Sequence, residues 1–147
     1  MKQDDIHIDL VSNPRLLASV RGLVRTYLLN EGFSGVRVGE IVLAVDEACT
    51  NAMRHSYEGM PEGRLRLTVR LHDGYIEFIL RDRGKPVPAD KCERKELEVP
   101  DASNLTPGGL GVQLMYRVFD DVKFRPGREK GNRVVMRLKR PVKEDGA

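Results

Sequence analysis

The chain has 147 residues, 40% hydrophobic and 32% charged, a composition that fits one soluble globular domain burying about two thirds of its unfolded surface. Twenty-five Lys and Arg against 22 Asp and Glu leave a net charge of +3, too small to indicate nucleic acid without a clustered patch. No apolar run approaches the ~18–20 residues of a membrane span. Met1-Lys2-Gln3-Asp4-Asp5 carries no apolar signal region, and Cys49 and Cys92 have no metal-ligand spacing, so both read as free thiols of a reducing cytoplasm.

In chain order, Ile6-His7-Ile8-Asp9-Leu10 alternates and reads as an edge strand. Ser12-Asn13-Pro14 supplies a helix start, with Ser12 or Asn13 as cap. Leu16, Leu17, Val20, Leu23, Val24, Tyr27 and Leu28 then recur at helical spacing, and the helix ends near Asn30 to Gly32. Ser34 opens a second helix that runs to about Tyr57. Within it, Ile41-Val42-Leu43-Ala44-Val45 is apolar all round and predicts burial on more than one side. The next residues, Asp46 to His55, place Glu47 and Asn51 at i and i+4, on one face, with Arg54 and His55 beside them. An acid and an amide together at the edge of a core can hold a hydrated divalent cation and accept a proton.

Leu65, Leu67, Val69 and Leu71 alternate with polar residues, His72-Asp73-Gly74 makes a turn, and Ile76, Phe78 and Leu80 return. The next residue in that phase is Asp82, which should therefore face the covered side. It reads either as a turn residue after the strand or as an acceptor for a ligand's donor. Lys85 to Pro107 forms no clear element and reads either as a lid or binding loop or as a solvated, charged or disordered loop. Thr106-Pro107-Gly108-Gly109-Leu110-Gly111 leads straight into an amphipathic helix, and glycines at such a mouth let backbone N–H groups approach an anion. Two strands, about Asp121 to Arg125 and Asn132 to Lys139, complete the sheet. Arg133, Arg137 and Lys139 with Arg64, Arg66 and Arg70 give it a basic outer face. That face reads as a solvated surface that resists association, or as a docking face for an acidic protein or, less readily, nucleic acid.

The ordered set Glu-x-x-x-Asn on a helix, Asp-x-Gly after a strand, a long loop and Gly-Gly-x-Gly opening a helix resembles the GHKL ATPase superfamily. It is most similar to the anti-sigma-factor serine-protein kinases. Glu47-Ala48-Cys49-Thr50-Asn51-Ala52 resembles their N-box, Asp82-Arg83-Gly84-Lys85-Pro86 their G1 box and Gly108-Gly109-Leu110-Gly111 their G2 box. Residues 85–107 stand where these relatives carry an ATP lid. The resemblance implies a single domain over residues 1–147 with a Bergerat-type fold. That fold is an α+β two-layer sandwich, a mixed, mainly antiparallel sheet with three main helices on one face.

It further implies that Asn51 binds Mg²⁺, that Glu47 is the general base toward a serine hydroxyl, and that Asp82 accepts from the adenine amino group. Gly108, Gly109 and Gly111 would cradle phosphates, Gly84 would let the backbone pass close to the base, and Arg54 would contact phosphate. His55 reads as packing. Many relatives carry Gly-Thr, holding phosphate, where this chain has Gly131-Asn132-Arg133. The implied function is an ATP- and Mg²⁺-dependent protein-serine kinase. It would phosphorylate a STAS-type anti-anti-sigma protein and sequester a sigma factor, as a cytoplasmic homodimer without direct nucleic-acid or membrane contact. The alternatives are a nucleotide-binding regulatory module without significant transfer, and the catalytic half of a histidine kinase. The second is disfavoured because a chain of this length leaves no room for a phosphoacceptor helix pair.

Overall fold

The structure, a computed structural model, describes residues 5–58, 62–86, 109–127 and 131–142. Strands β1 (Asp5–Val11), β2 (Arg64–Leu71), β3 (Tyr75–Asp82), β4 (Asp121–Arg125) and β5 (Asn132–Lys139) form one sheet in the order β1-β2-β3-β5-β4. Among the described residues every pairing is antiparallel, which corrects the expected mixed sheet. Strand β4 does run parallel to β3, but β5 folds back between them, so the two never pair.

Three helices, α1 (Leu17–Asn30), α2 (Gly35–Asn51) and α3 (Gly109–Val118), supply the second layer. Ile76, Phe78 and Leu80 of β3 and Val134, Met136 and Leu138 of β5 enter the same core as Val24, Leu28, Ile41, Val45 and Met115. The register pairs Leu67 with Leu80 and Leu80 with Val134, so a one-residue slip would turn every apolar set to solvent.

Local chemistry sets the helix positions. The Asn13 carboxamide accepts from the Arg15 N–H at 3.0 Å, and a 3₁₀ turn, Pro14–Leu16, leads into α1. Gly32, at φ 94°, provides the left-handed residue that ends α1. Ser34 Oγ caps α2 by accepting from Arg37 N–H at 3.2 Å. Arg21 pairs with Asp46 at 2.8 Å, joining α1 to α2. Arg37 donates from Nη2 to the Val118 carbonyl at 2.7 Å, one of the last carbonyls of α3, which has no intrahelical donor.

Helix α2 is buried on more than one side, as its apolar run predicts, with one exposed position and one irregular end. Leu43 is 50% exposed, because α2 is packed from the sheet, α1 and α3 but stays open on its remaining side. The helical path does continue beyond Asn51, but Ala52–Ser56 is a π-turn. Thr50 Oγ1 donates to the Asp46 carbonyl at 2.9 Å just before it, a back-bond that loosens the α-helical ladder. Cys49 is fully buried, and burial followed by the nearby Asp46 charge pushes its thiol up to about 12. Such a thiol packs as a small hydrophobe.

Candidate functional site

At one end of the sheet three elements converge. The last turn of α2 brings Glu47 and Asn51, separated by one helical turn and so on one face. The end of β3 brings Asp82, and the first turn of α3 brings Gly109 and Gly111. A Cβ on Gly111 would overlap Glu47 Oε2, so glycine at this position lets the carboxylate lie against the mouth of α3. The unpaired N–H groups of a first helical turn favour anionic oxygens at that mouth. Gly108 and residues 87–107 of the expected lid, Cys92 among them, lie outside the described residues.

The Asn51 carboxamide is the clearest sign of a ligand. Its Oδ1 and Nδ2 are both buried and, among the described residues, both without a hydrogen-bond partner. An orphaned buried amide is costly, and its oxygen fits a hard cation that retains most of its waters.

Asp82 is buried, 6% exposed, on the covered face where the strand alternation puts it. Its Oδ1 accepts from the Gly84 N–H at 2.9 Å and from Asn132 Nδ2 at 2.9 Å. Gly84 therefore closes an Asx turn on Asp82, and the turn and acceptor readings of that aspartate hold together. Asn132 Nδ2 also donates to the Lys85 carbonyl at 2.7 Å. The β3–β5 register sets Asp82 directly opposite Asn132. Asn132 thus sits beside Asp82, on the neighbouring strand. Gly131, at φ 78°, precedes it, and a Cβ there would overlap the Asp82 carbonyl.

Between these groups lies a pocket walled by Ala48, Ala52, Leu80, Val112, Met115 and Phe124 and reached by the polar side chains of Asn51, His55, Asp82 and Asn132. Mostly apolar walls with a few polar groups are the usual character of a small-molecule site. Its free volume is about 50 Å³, so a ligand much larger than a few water molecules requires the lining side chains to re-pack. Arg54 is exposed and does not line the pocket, whereas His55 does. A much larger groove, of about 1390 Å³, opens at the same end toward the other face of the sheet; it contains neither Glu47 nor Asn51 but shares Asp82 and Asn132 with the pocket.

Two residues of this region were missed by sequence reasoning. Tyr57 Oη donates to the Arg64 carbonyl at 2.7 Å and accepts from Arg83 N–H at 2.8 Å, tying the end of the π-turn to the strand end that carries Asp82. No local pattern signals this. Asn132 as a partner of Asp82 did have a signal: it continues the inward phase of Leu138, Met136 and Val134, as Asp82 continues that of Ile76, Phe78 and Leu80.

Residues 10–138 match the family described as Histidine kinase-like ATPase domain. An anti-sigma F factor of Heyndrickxia coagulans is 32% identical over 126 residues, covering 76% of this chain and 84% of that protein. The serine-protein kinase RsbW of Oceanobacillus iheyensis is 27% identical over 125 residues, covering 82% and 78%. Among solved structures, the RsbU and RsbW domains of Rv1364c from Mycobacterium tuberculosis superpose with a TM-score of 0.64 at 20% identity, over 94% of this chain and 33% of that one. That likeness extends to the fold. The motif residues and the match over most of the chain lead to one conclusion: the chain belongs to the histidine kinase-like ATPase domain family.

Proposed function

We propose that this chain is an ATP- and Mg²⁺-dependent protein-serine kinase and anti-sigma factor. It phosphorylates a STAS-type anti-anti-sigma protein and sequesters a sigma factor, acting in the cytoplasm as a homodimer. The observation that carries the reading is the contact of Glu47 with the α3 mouth at Gly111, on the same helix face as the orphaned Asn51. The names of the relatives, anti-sigma F factor and serine-protein kinase RsbW, support the same assignment. Among the described residues no helix is long and apolar enough to cross a membrane.

In this reading Asp82 accepts from the exocyclic amine of adenine while Gly84 and Asn132 hold its carboxylate in place. The α3 mouth receives the phosphates. Asn51 Oδ1 would hold Mg²⁺, which when bound neutralises phosphate charge and orients the terminal phosphoryl group. Glu47 takes the proton from the serine hydroxyl as its oxygen attacks.

The alternative, a nucleotide-binding regulatory module without transfer, drew on the altered Gly131-Asn132-Arg133 stretch. In the proposed reading, with Asn132 held on Asp82, that departure stands beside the base and away from the phosphates. The test is calorimetric ATP titration with Mg²⁺, paired with transfer to a STAS-domain protein, for wild type and Glu47→Ala. The expected result is near-equal ATP affinity and transfer reduced by about 10²-fold or more. Transfer undiminished in Glu47→Ala would remove Glu47 as the base, and absence of ATP binding to the wild type would sink the kinase reading.

A further inference from the structure

The open face of the sheet, away from the helices, is divided by charge. At one end Asp5, Arg70, Glu77, Arg137 and Asp121 align across all five strands. That row neutralises itself through Arg70–Asp5 at 3.2 Å and Arg137–Glu77 at 2.9 Å. At the other end the register aligns Asp9, Arg66, Arg81, Arg133 and Arg125. In this row one carboxylate serves four guanidinium groups; Arg64 and Arg83 extend the same groove, and Glu62 is a second acid on its border. Asp9 is held by Arg66 through two bonds, Nε to Oδ1 at 2.8 Å and Nη2 to Oδ2 at 3.1 Å. Among the described residues no carboxylate pairs with the side chain of Arg64, Arg81, Arg83, Arg125 or Arg133.

Directly opposed like charges on neighbouring strands destabilise a sheet. The pairs Arg66–Arg81, Arg81–Arg133 and Arg133–Arg125 therefore store repulsion that an anionic occupant would relieve. All four side chains are exposed and border the open groove of about 1390 Å³, roomier than most small-molecule sites.

We propose that this groove is a docking site for an acidic protein segment, bound as a helix with carboxylates on one face. Charge complementarity selects an anion, and the Arg66–Asp9 fork shows that the row binds a carboxylate with two parallel bonds. Strands are spaced ~4.7–4.9 Å apart, close to the ~5–6 Å between helical residues at i and i+3 or i+4. Successive carboxylates of such a helix can thus meet successive arginines. Among the described residues Tyr57 is the only aromatic side chain lining the groove, which leaves little for base stacking and disfavours a single-stranded nucleic acid. A second copy of the sheet is disfavoured as well, because the acids of its opposite row are already engaged. The groove shares Asp82, Asn132, Arg125, Pro126 and Arg133 with the smaller pocket, whereas Arg64, Arg66 and Arg81 border the groove alone, so the docking variant is drawn from these.

The test is fluorescence anisotropy with a labelled helical peptide of about 18 residues bearing glutamates at every fourth position. Controls are the same composition in scrambled order and a labelled single-stranded DNA of equal charge. Wild type and the double variant Arg64→Glu/Arg81→Glu are compared, with mass by light scattering. The expected result is patterned peptide bound more tightly than either control, affinity falling as salt rises from about 0.05 to about 0.3 M, and roughly tenfold or greater loss in the variant. Equal binding by the variant would overturn the proposal. So would scrambled peptide or DNA binding as tightly as the patterned peptide, or a wild-type dimer that the variant converts to monomer. Retained thermal unfolding of the variant separates lost docking from lost folding.

Discussion

Asn132 is the side chain that holds the Asp82 end of the pocket, and replacing it with alanine gives a calculable loss. The residue is 7% exposed, and its amide nitrogen donates to Asp82 Oδ1 at 2.9 Å and to the Lys85 carbonyl at 2.7 Å. A bond to a charged acceptor contributes roughly 1.5–3 kcal/mol and one to a neutral carbonyl about 0.5–1.5 kcal/mol. Asn132→Ala should therefore lower stability by about 2–4 kcal/mol, and Tm by about 5–15 °C for a chain of this size. Asn132→Thr keeps one donor and should fall between alanine and the native residue. Calorimetric unfolding of Asn132→Ala, Asp82→Asn and the double variant forms a cycle that isolates the shared bond, with a coupling of about 1–2 kcal/mol expected. A loss under about 1 kcal/mol for Asn132→Ala, or effects that add within about 0.5 kcal/mol, would refute the reasoning.

Two further outcomes follow from the geometry. Gly111→Ala should leave Tm equal or slightly raised, since alanine favours a helix by up to about 1 kcal/mol, yet displace Glu47 and cut phosphoryl transfer by about tenfold or more; unchanged transfer would separate Glu47 from the chemistry. Cys49 should resist iodoacetamide near pH 8 in a Cys92→Ser background, read by mass spectrometry. Its thiol is raised in the folded state from 9.0 to about 12, so the stability tied to the neutral thiol is complete below the unfolded value and lost progressively as pH rises toward the folded one. A flat unfolding profile across that interval in the Cys49 protein, judged against Cys49→Ala, would argue against the burial described.

What the sequence disclosed depended on whether the signal was local. The inward direction of Asp82 followed from period-2 alternation along its own strand, and the common face of Glu47 and Asn51 from helical spacing. The capping roles of Asn13 and Ser34 were legible for the same reason. The Asp82–Asn132 bond joins residues 50 positions apart and requires the register of β3 on β5, which neither strand encodes alone. Leu43 lies in solvent because of how many neighbours surround α2, a tertiary property that its apolar run conceals. The π-turn is similarly invisible, since Ala52 to Ser56 suits an α-helix equally well, and only the demands at either end of it select the wider winding.

Those demands have a consequence for how this stretch can vary. Asn51 must face the pocket, while Tyr57 must reach Arg64 and Arg83 at the strand end. Removing or adding one residue between them would swing Tyr57 by about 100° around the helix axis, out of reach of both partners. Arg54, exposed on this stretch, can be exchanged with the geometry preserved, whereas Ala52 and Met53 are buried in the core. The number of residues cannot change, so length is constrained here even where a side chain is free.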